Sequence, residues 1–356
     1  MAERVMMKGN EAIAEGAIRA GCRFFFGYPI TPQNEIPEYM SRRMPEVGGT
    51  FIQAESEVSA INMVYGAAGA GARVLTSSSS PGISLKMEGI SYAAGSELPC
   101  VVVNICRGGP GLGGLAPSQA DYFQATKGGG HGDYRMVVYA PASVQEIIDV
   151  MYEAFATADK YRNPVMVLAD GLLGQMMEPV TLTEIKDLKI PPKPWATTGM
   201  THGKPQSIIN SLGLVGEELE KINIRIQKKY REIEASEVRF EEDGVADADL
   251  VIVAFGTSAR VAKSAMIKAR AQGKKVGLLR PITLWPFPSQ RVAELANNKK
   301  RFLVVEMSAG QMVEDVRLAS GGQAQVDFFG RLNGAIPSVT EVYHEIIKIL
   351  AAKGVA

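Results

Sequence analysis

Short apolar runs alternate with amphipathic stretches along the first half of the chain. The runs "RFFFG", "GTFIQAE", "ARVLTSSSS", "PCVVVNICR", "RMVVYAP" and "PVMVLAD" are rich in Val, Ile, Leu and Phe and predict strands. Between them, "MMKGNEAIAEGAIRAG" sets Ala12, Ile13, Ala17 and Ile18 on one stripe, which predicts a helix capped by Asn10 and closed by Gly21. "SEVSAINMVYGAAGAG", "SLKMEGISYAAGSE" and "SVQEIIDVMYEAFATADKY" predict three more helices. Strands that stay apolar on both faces and interleave with helices dictate an α/β fold, a parallel sheet with helices on both faces.

After Val180 the pattern breaks. A proline-rich stretch with little apolar periodicity leads into "GEELEKINIRIQKKYREIEASEVRFEED", which reads as a long charged helix with a solvated face. A second, smaller α/β unit begins at "ADLVIVAFGTSARVAK" and runs through "RFLVVEMSAGQMVEDVRLAS" to the end. The expected division is therefore a unit at 1–185, a linker with the charged helical segment at 186–245, and a second unit at 246–356. The lone Gly256 after "LVIVAF" lacks the G-x-G-x-x-G spacing of a dinucleotide site.

Composition narrows the field. Of 356 residues, 46% are hydrophobic and 21% charged, as in soluble globular proteins. The 38 basic and 38 acidic residues cancel and form no basic block, so neither nucleic acid nor an anionic membrane is an expected partner. Cys22, Cys100 and Cys106 lie in apolar surroundings without a C-x-x-C pair, which points to a reducing cytoplasm rather than a disulfide framework. The N-terminal stretch has no apolar signal core, and no segment approaches the roughly 20 apolar residues of a membrane span.

Chemistry in an α/β sheet belongs just past the C-terminal ends of its strands. Three stretches sit there: "YPITP" after "RFFF", "AESE" after "GTFIQ", and "RGGPGLGG" after "PCVVVNIC". Pro29 and Pro32 fix their own φ and hold Tyr28 and Thr31 in extended geometry, which makes a stiff clamp. Glu55 is placed to cap the next helix. Glu57 is either an ordinary first-turn glutamate or a carboxylate buried against a ligand ring, sharing a proton with a ring nitrogen. Arg107 is either a surface residue or an anchor that grips an anionic substrate with parallel hydrogen bonds. "TSSSSPG" and "GGPGLGG" offer backbone amides with little bulk for close approach of a ligand, and no lysine follows at P-loop spacing. His131 stands without neighbouring metal-ligand spacing, so no metal site is expected in this chain.

"GYPITP", "AESEVSAINMVYGAAGAGARVLTSSSSPG", "GSELPCVVVNICRGGPG" and "ADYFQATKGGGHGDYRMVVYAP", in that order, resemble the α subunit of the 2-oxoacid:ferredoxin oxidoreductases. The likeness spans nearly the whole chain and is nearest the branched-chain 2-oxoisovalerate (3-methyl-2-oxobutanoate) type. It implies a pyrimidine-binding thiamine diphosphate domain followed by a transketolase C-terminal-like domain. It also implies that Glu57 bonds the ring nitrogen of the cofactor's aminopyrimidine, with Tyr28, Pro29, Ile30, Thr31 and Ser80 around the cofactor. Thr31 and Arg107 would face the oxoacid.

No G-D-G motif with a downstream N-N pair and no cysteine cluster is present. The resemblance accordingly implies a β subunit carrying Mg²⁺ and the diphosphate-binding domain, a γ subunit, and a ferredoxin-like δ subunit with iron–sulfur clusters. CoA would be co-substrate and ferredoxin the electron acceptor. The motifs fit a 2-oxoglutarate, pyruvate or aryl-oxoacid enzyme almost as well. A non-catalytic scaffold subunit has no physical need for a carboxylate, a hydroxyl and a guanidinium at three strand ends, and a nicotinamide-dependent dehydrogenase lacks its glycine fingerprint.

Overall fold

The computed structural model describes residues 3–352 except 183–187, 189, 200–202, 204 and 333. The chain opens with strand β1 (Glu3–Lys8) and helix α1 (Gly9–Arg19). Then follow β2 (Phe24–Gly27), α2 (Glu35–Glu46), β3 (Thr50–Gln53), α3 (Glu57–Gly69), β4 (Val74–Ser78), α4 (Ser80–Gly95) and β5 (Cys100–Cys106). A short helix α5 (Tyr122–Thr126) precedes β6 (Val137–Tyr139), α6 (Val144–Tyr161), β7 (Pro164–Asp170), α7 (Gly171–Gln175) and β8 (Met177–Leu182). The second half holds α8 (Gly216–Ser236), β9 (Phe240–Asp243), β10 (Leu250–Val253), α9 (Gly256–Arg270), β11 (Val276–Pro281) and β12 (Thr283–Trp285). It ends with α10 (Ser289–Asn297), β13 (Arg301–Glu306), α11 (Met312–Ser320), β14 (Val326–Gly330) and α12 (Val339–Ala351).

The predicted α/β fold is present. A seven-stranded sheet runs β12-β6-β7-β5-β4-β2-β3 and a five-stranded sheet runs β14-β13-β10-β11-β9. Within these two sheets the pairs are parallel except at the edge strands β12, against β6, and β9, against β11; β1 and β8 form a separate antiparallel pair. β4, β5 and β7 are buried along their whole length, which is why they read as unbroken apolar runs.

Two local expectations fail for non-local reasons. The helix expected behind an Asn10 cap starts earlier, at Gly9, and residues 3–8 ahead of it pair antiparallel with β8, Glu3 opposite Leu182 through Lys8 opposite Met177. Asn10 is not the cap. Lys8 holds the N-cap position with its N–H on the Glu11 carboxylate at 2.9 Å, and the Asn10 side chain is spent on the loop after β2. The charged helix ends at Ser236 and buries Ile226, Tyr230 and Ile233 on one stripe. Tyr230 packs edge-on against Trp285 at 5.8 Å, so this helix is more than a solvated face. Parts of the proline-rich stretch lie outside the described residues; within it, Lys193 pairs with Asp159 at 2.6 Å.

The two sheets are joined through residues 117–127. Gln119 is buried and donates its N–H to Met307 O (2.9 Å) and its side-chain amide to Phe255 O (2.9 Å). Its side-chain oxygen accepts from the Ser258 hydroxyl (2.7 Å) and Met307 N–H (3.1 Å). Tyr122 donates to Asp315 at 2.5 Å. Truncating Gln119 to Ala leaves two buried groups unpaired, the Ser258 hydroxyl and Met307 N–H, each costing about 1–3 kcal/mol, while Phe255 O keeps its bond from Ala259 N–H. Urea unfolding of Gln119→Ala is expected to show a loss of at least about 2 kcal/mol; an unchanged midpoint would mean that water replaces the side chain.

Candidate active site

The strand order β5-β4-β2-β3 follows from the path of the chain, which leaves β2 for β3 on one side and returns to lay β4 on the other. Successive connections diverge at such a switch point and leave a crevice beyond the carboxyl ends of the strands. The loops after β2, β3, β4 and β5 converge there.

The loop after β2 is held by its carbonyls. Pro32 O accepts from Asn10 Nδ2 at 2.8 Å and Gln175 Nε2 at 3.0 Å, and Thr31 O accepts from Arg107 Nη1 at 2.9 Å. Gln33 is buried and accepts from the Ser77 hydroxyl at 2.5 Å. Tyr28, Pro29 and Thr31 are left exposed and Ile30 half-buried. Glu35 carries the far end of the network: burial pushes its carboxyl up, but hydrogen bonds from Asn10, Lys8 and Gln175 outweigh this and hold it low.

Glu57 combines a first-turn position with burial. It is the first residue of α3, and it is 6% exposed. Ser56, not Glu55, caps the helix, its Oγ accepting from Ser59 N–H at 3.2 Å. Glu55 is exposed and takes the Ser59 hydroxyl at 2.5 Å, because the cap position falls one residue later than the sequence suggested. The Glu57 carboxylate accepts no hydrogen bond among the described residues.

Gly82, in the first turn of α4, forms the floor beside it. A Cβ there would stand 2.6 Å from Glu57 Oε1 and closer still to Ser78 Oγ, so only a residue without a side chain fits. The hydroxyls of Ser78 and Ser79 are buried and make no hydrogen bond among the described residues. Gly82→Ala must displace the glutamate or the serine. Activity of the assembled enzyme is expected to fall at least about tenfold, since an ångström of misplacement at reacting groups costs up to ~10²-fold; full activity would show that the carboxylate has room to shift.

Ser80 and Arg107 share a second network. Ser80 Oγ accepts from Arg107 N–H (3.0 Å) and donates to Asp121 (2.6 Å), while Asn104 Nδ2 also donates to Asp121 (2.8 Å). Arg107 is 7% exposed, which excludes the surface reading. Its guanidinium holds Thr31 O and, at 3.3 Å, Leu112 O, and its buried Nε has no partner among the described residues. The arginine thus ties the loop after β2 to the glycine-rich loop after β5. His131 is exposed and lends its backbone carbonyl to Ser91 at 2.7 Å. No group of three His, Cys, Asp or Glu side chains forms a metal site among the described residues.

Residues 15–237 match the family described as pyruvate flavodoxin/ferredoxin oxidoreductase, thiamine diphosphate-binding, and residues 248–342 match pyruvate:ferredoxin oxidoreductase core domain II. The chain belongs to the 2-oxoacid:ferredoxin oxidoreductases. Among curated members of this family, the ketoisovalerate oxidoreductase subunit VorB of Methanothermobacter thermautotrophicus is 54% identical over 97% of each chain. The 2-oxoglutarate synthase subunit KorA of Archaeoglobus fulgidus is 40% identical, covering 93% of this chain and 96% of its own. A solved 2-oxoglutarate:ferredoxin oxidoreductase from Magnetococcus marinus, with 2-oxoglutarate, coenzyme A and succinyl-CoA bound, superposes with a TM-score of 0.88 at 28% identity. It covers 97% of this chain, which spans 65% of that longer one. A split-gene transketolase shares the fold, with a TM-score of 0.62 at 14% identity.

Sequence reasoning missed much of what this oxidoreductase uses to hold its site. Asn10, Gln119, Gln175 and Asp121 act through partners distant in sequence and carry no local signal. Asn104 and Lys86 did carry one. Each is a polar residue inside an apolar pattern, Asn104 in "CVVVNIC" and Lys86 on the helix stripe that includes Ile83 and Ile90.

Proposed function

We propose that the chain is the α subunit of a multi-subunit, thiamine-diphosphate-dependent enzyme that converts 2-oxoisovalerate, CoA and oxidised ferredoxin into acyl-CoA, CO₂ and reduced ferredoxin. The observation that carries the substrate is the gap between 54% identity to a ketoisovalerate oxidoreductase subunit and 36–40% to 2-oxoglutarate synthase subunits. Residues 1–185 form the pyrimidine-binding unit and 246–356 the transketolase C-terminal-like unit. A β subunit brings Mg²⁺ and the diphosphate site, and γ and ferredoxin-like δ subunits bring the iron–sulfur clusters. A cytoplasmic setting fits the three free, buried cysteines, of which Cys22 and Cys100 have thiols pushed up to about 12 by burial. No helix is long and apolar enough to cross a membrane among the described residues.

The crevice suits the aminopyrimidine half of the cofactor. It presents a buried carboxylate and two buried hydroxyls that have no hydrogen-bond partner among the described residues, and a floor cleared of side chains at Gly82. When bound, thiamine diphosphate supplies the electron sink for decarboxylation. Glu57 holds and returns the proton at the ring nitrogen, with Tyr28, Pro29, Ile30, Thr31 and Ser80 lining the ring. Thr31 and the unsatisfied side of Arg107 face the oxoacid. Because the carbonyls of Thr31 and Pro32 are already fixed, little ordering entropy remains to be lost on binding.

The assembled complex, assayed for CoA-dependent reduction of a viologen dye across a panel of 2-oxoacids, tests this. The expected result is the highest kcat/KM for 2-oxoisovalerate. A preference for 2-oxoglutarate or pyruvate would overturn the substrate, and turnover by a complex with Glu57 replaced would overturn the catalytic role.

A further inference from the structure

Gln33 closes the clamp loop after β2 and is 1% exposed. Its main-chain N–H donates to Ile30 O at 3.1 Å, which folds residues 30–33 into a turn with Thr31 at its first corner. Its side-chain amide accepts from the Ser77 hydroxyl at 2.5 Å and donates to Tyr28 O at a longer 3.4 Å. A carbonyl can only accept, so Tyr28 O fixes which end of the amide faces which partner. The carbonyls ahead of Thr31, those of Tyr28 and Ile30, are thus held by Gln33, while Arg107 holds that of Thr31, and Asn10 and Gln175 that of Pro32.

Ser77 is reached across a gap in the sheet. β2 and β4 pair at Phe24 with Val74 and at Phe25 with Leu75, and Ser77 lies two residues past the last paired position. The Gln33–Ser77 bond spans the opening that the ladder leaves there. On β4, Thr76 and Ser78 share one face, where Thr76 meets Lys86 and Ser78 meets Gly82, both of α4. Ser77, between them, faces the opposite way, toward the clamp loop. Adjacent residues of one strand therefore serve different groups: Ser78 stands at the floor beside Glu57, and Ser77 braces the loop that carries Thr31.

Residues 28–33 belong to no helix or strand, so the orientation of Thr31 depends on these anchors. The carbonyls are tied inward, and the side chains of Tyr28, Pro29 and Thr31 are left exposed. Ser77 is fully buried and Gln33 nearly so, which keeps water from replacing either partner of their bond.

We propose that Gln33 is a positioning residue for the oxoacid subsite: anchored on Ser77, its buried amide holds the turn so that the Thr31 hydroxyl meets the oxoacid in one orientation. This rests on Thr31 facing the oxoacid. Gln33 lies behind the loop and acts through Thr31, so its contribution should vanish once the Thr31 hydroxyl is gone. A residue that merely supports the fold would keep its effect in that background.

The assembled complex, assayed with 2-oxoisovalerate by dye reduction, tests this with Gln33→Met, Ser77→Ala, Thr31→Val, and each of the first two combined with Thr31→Val. Methionine fills the space of the glutamine without its hydrogen bonds. Gln33→Met and Ser77→Ala are each expected to lower kcat/KM at least about tenfold, since an ångström of misplacement at reacting groups costs up to ~10²-fold. Thr31→Val should lower it at least as far, and adding either change to Thr31→Val should cost less than a further factor of about two. Losses that multiply with that of Thr31→Val, or unchanged kinetics in both Gln33→Met and Ser77→Ala, overturn the role of Gln33 and leave Thr31 in place. Where Gln33→Met does not assemble, Ser77→Ala reads the same bond from its other end and decides alone. Normal kinetics in Thr31→Val overturn the placement of Thr31 at the oxoacid, and the proposal with it.

Discussion

Glu57→Gln is expected to lower kcat of the assembled complex by about 10²–10⁴-fold, the usual contribution of a positioned acid–base group. The chain should still fold. The carboxylate accepts no hydrogen bond among the described residues, so glutamine of the same shape breaks none, and Ser56 keeps its cap on Ser59. The amide can still accept a hydrogen bond from a ring N–H but cannot take and return the proton. Glu55→Gln is the control: that exposed side chain bonds the Ser59 hydroxyl and no other side chain among the described residues, and should change kcat less than about twofold. A Glu57→Gln complex with near-normal turnover, judged by dye reduction and by an unchanged unfolding midpoint, would reduce Glu57 to a buried first-turn residue.

What could be read from the sequence was what is encoded locally. β4, β5 and β7 announced themselves because a strand buried on both faces needs apolar residues at every position. The ends of the shorter runs β2 and β3 then marked the crevice, with "YPITP" after β2 and Glu57 after β3. The misjudged places depend on partners far along the chain. Residues 3–8 form a strand only because β8 returns beside them, and Thr283–Trp285 joins the first sheet from the second half of the chain. Nothing near Asn10 says that its amide is needed at Pro32, 22 residues away. The sequence reading put the cap at Glu55, and one residue of offset gives it to Ser56. Lys86 carried a signal as a charge on an apolar helix face, but its bond to Thr76 depends on β4 lying beside α4.

Arg107→Lys separates the substrate role from the structural one. A guanidinium has five donors in a planar fork; here one serves Thr31 O, one serves Leu112 O, and the buried Nε has no partner among the described residues. Under the proposed function two jobs fall on one side chain, pinning the clamp loop, as the contacts to Thr31 O and Leu112 O do, and presenting donors to an anion in the crevice. Lysine keeps the charge and can satisfy one carbonyl, but it cannot do both at once or offer parallel hydrogen bonds to a carboxylate. The expected result is a higher KM for the oxoacid and a kcat/KM lower by about 1.5–3 kcal/mol, the scale of a hydrogen bond to a charged group. Thiamine diphosphate affinity should stay nearly constant, because the proposed function gives the ring to Glu57 and the diphosphate to a partner subunit. If the variant instead loses cofactor or unfolds earlier while KM stays put, Arg107 serves only to tie the loops after β2 and β5. The buried main-chain N–H of Arg107, which donates to Ser80 at 3.0 Å, is untouched by the change, so the Ser80–Asp121–Asn104 network should survive either way.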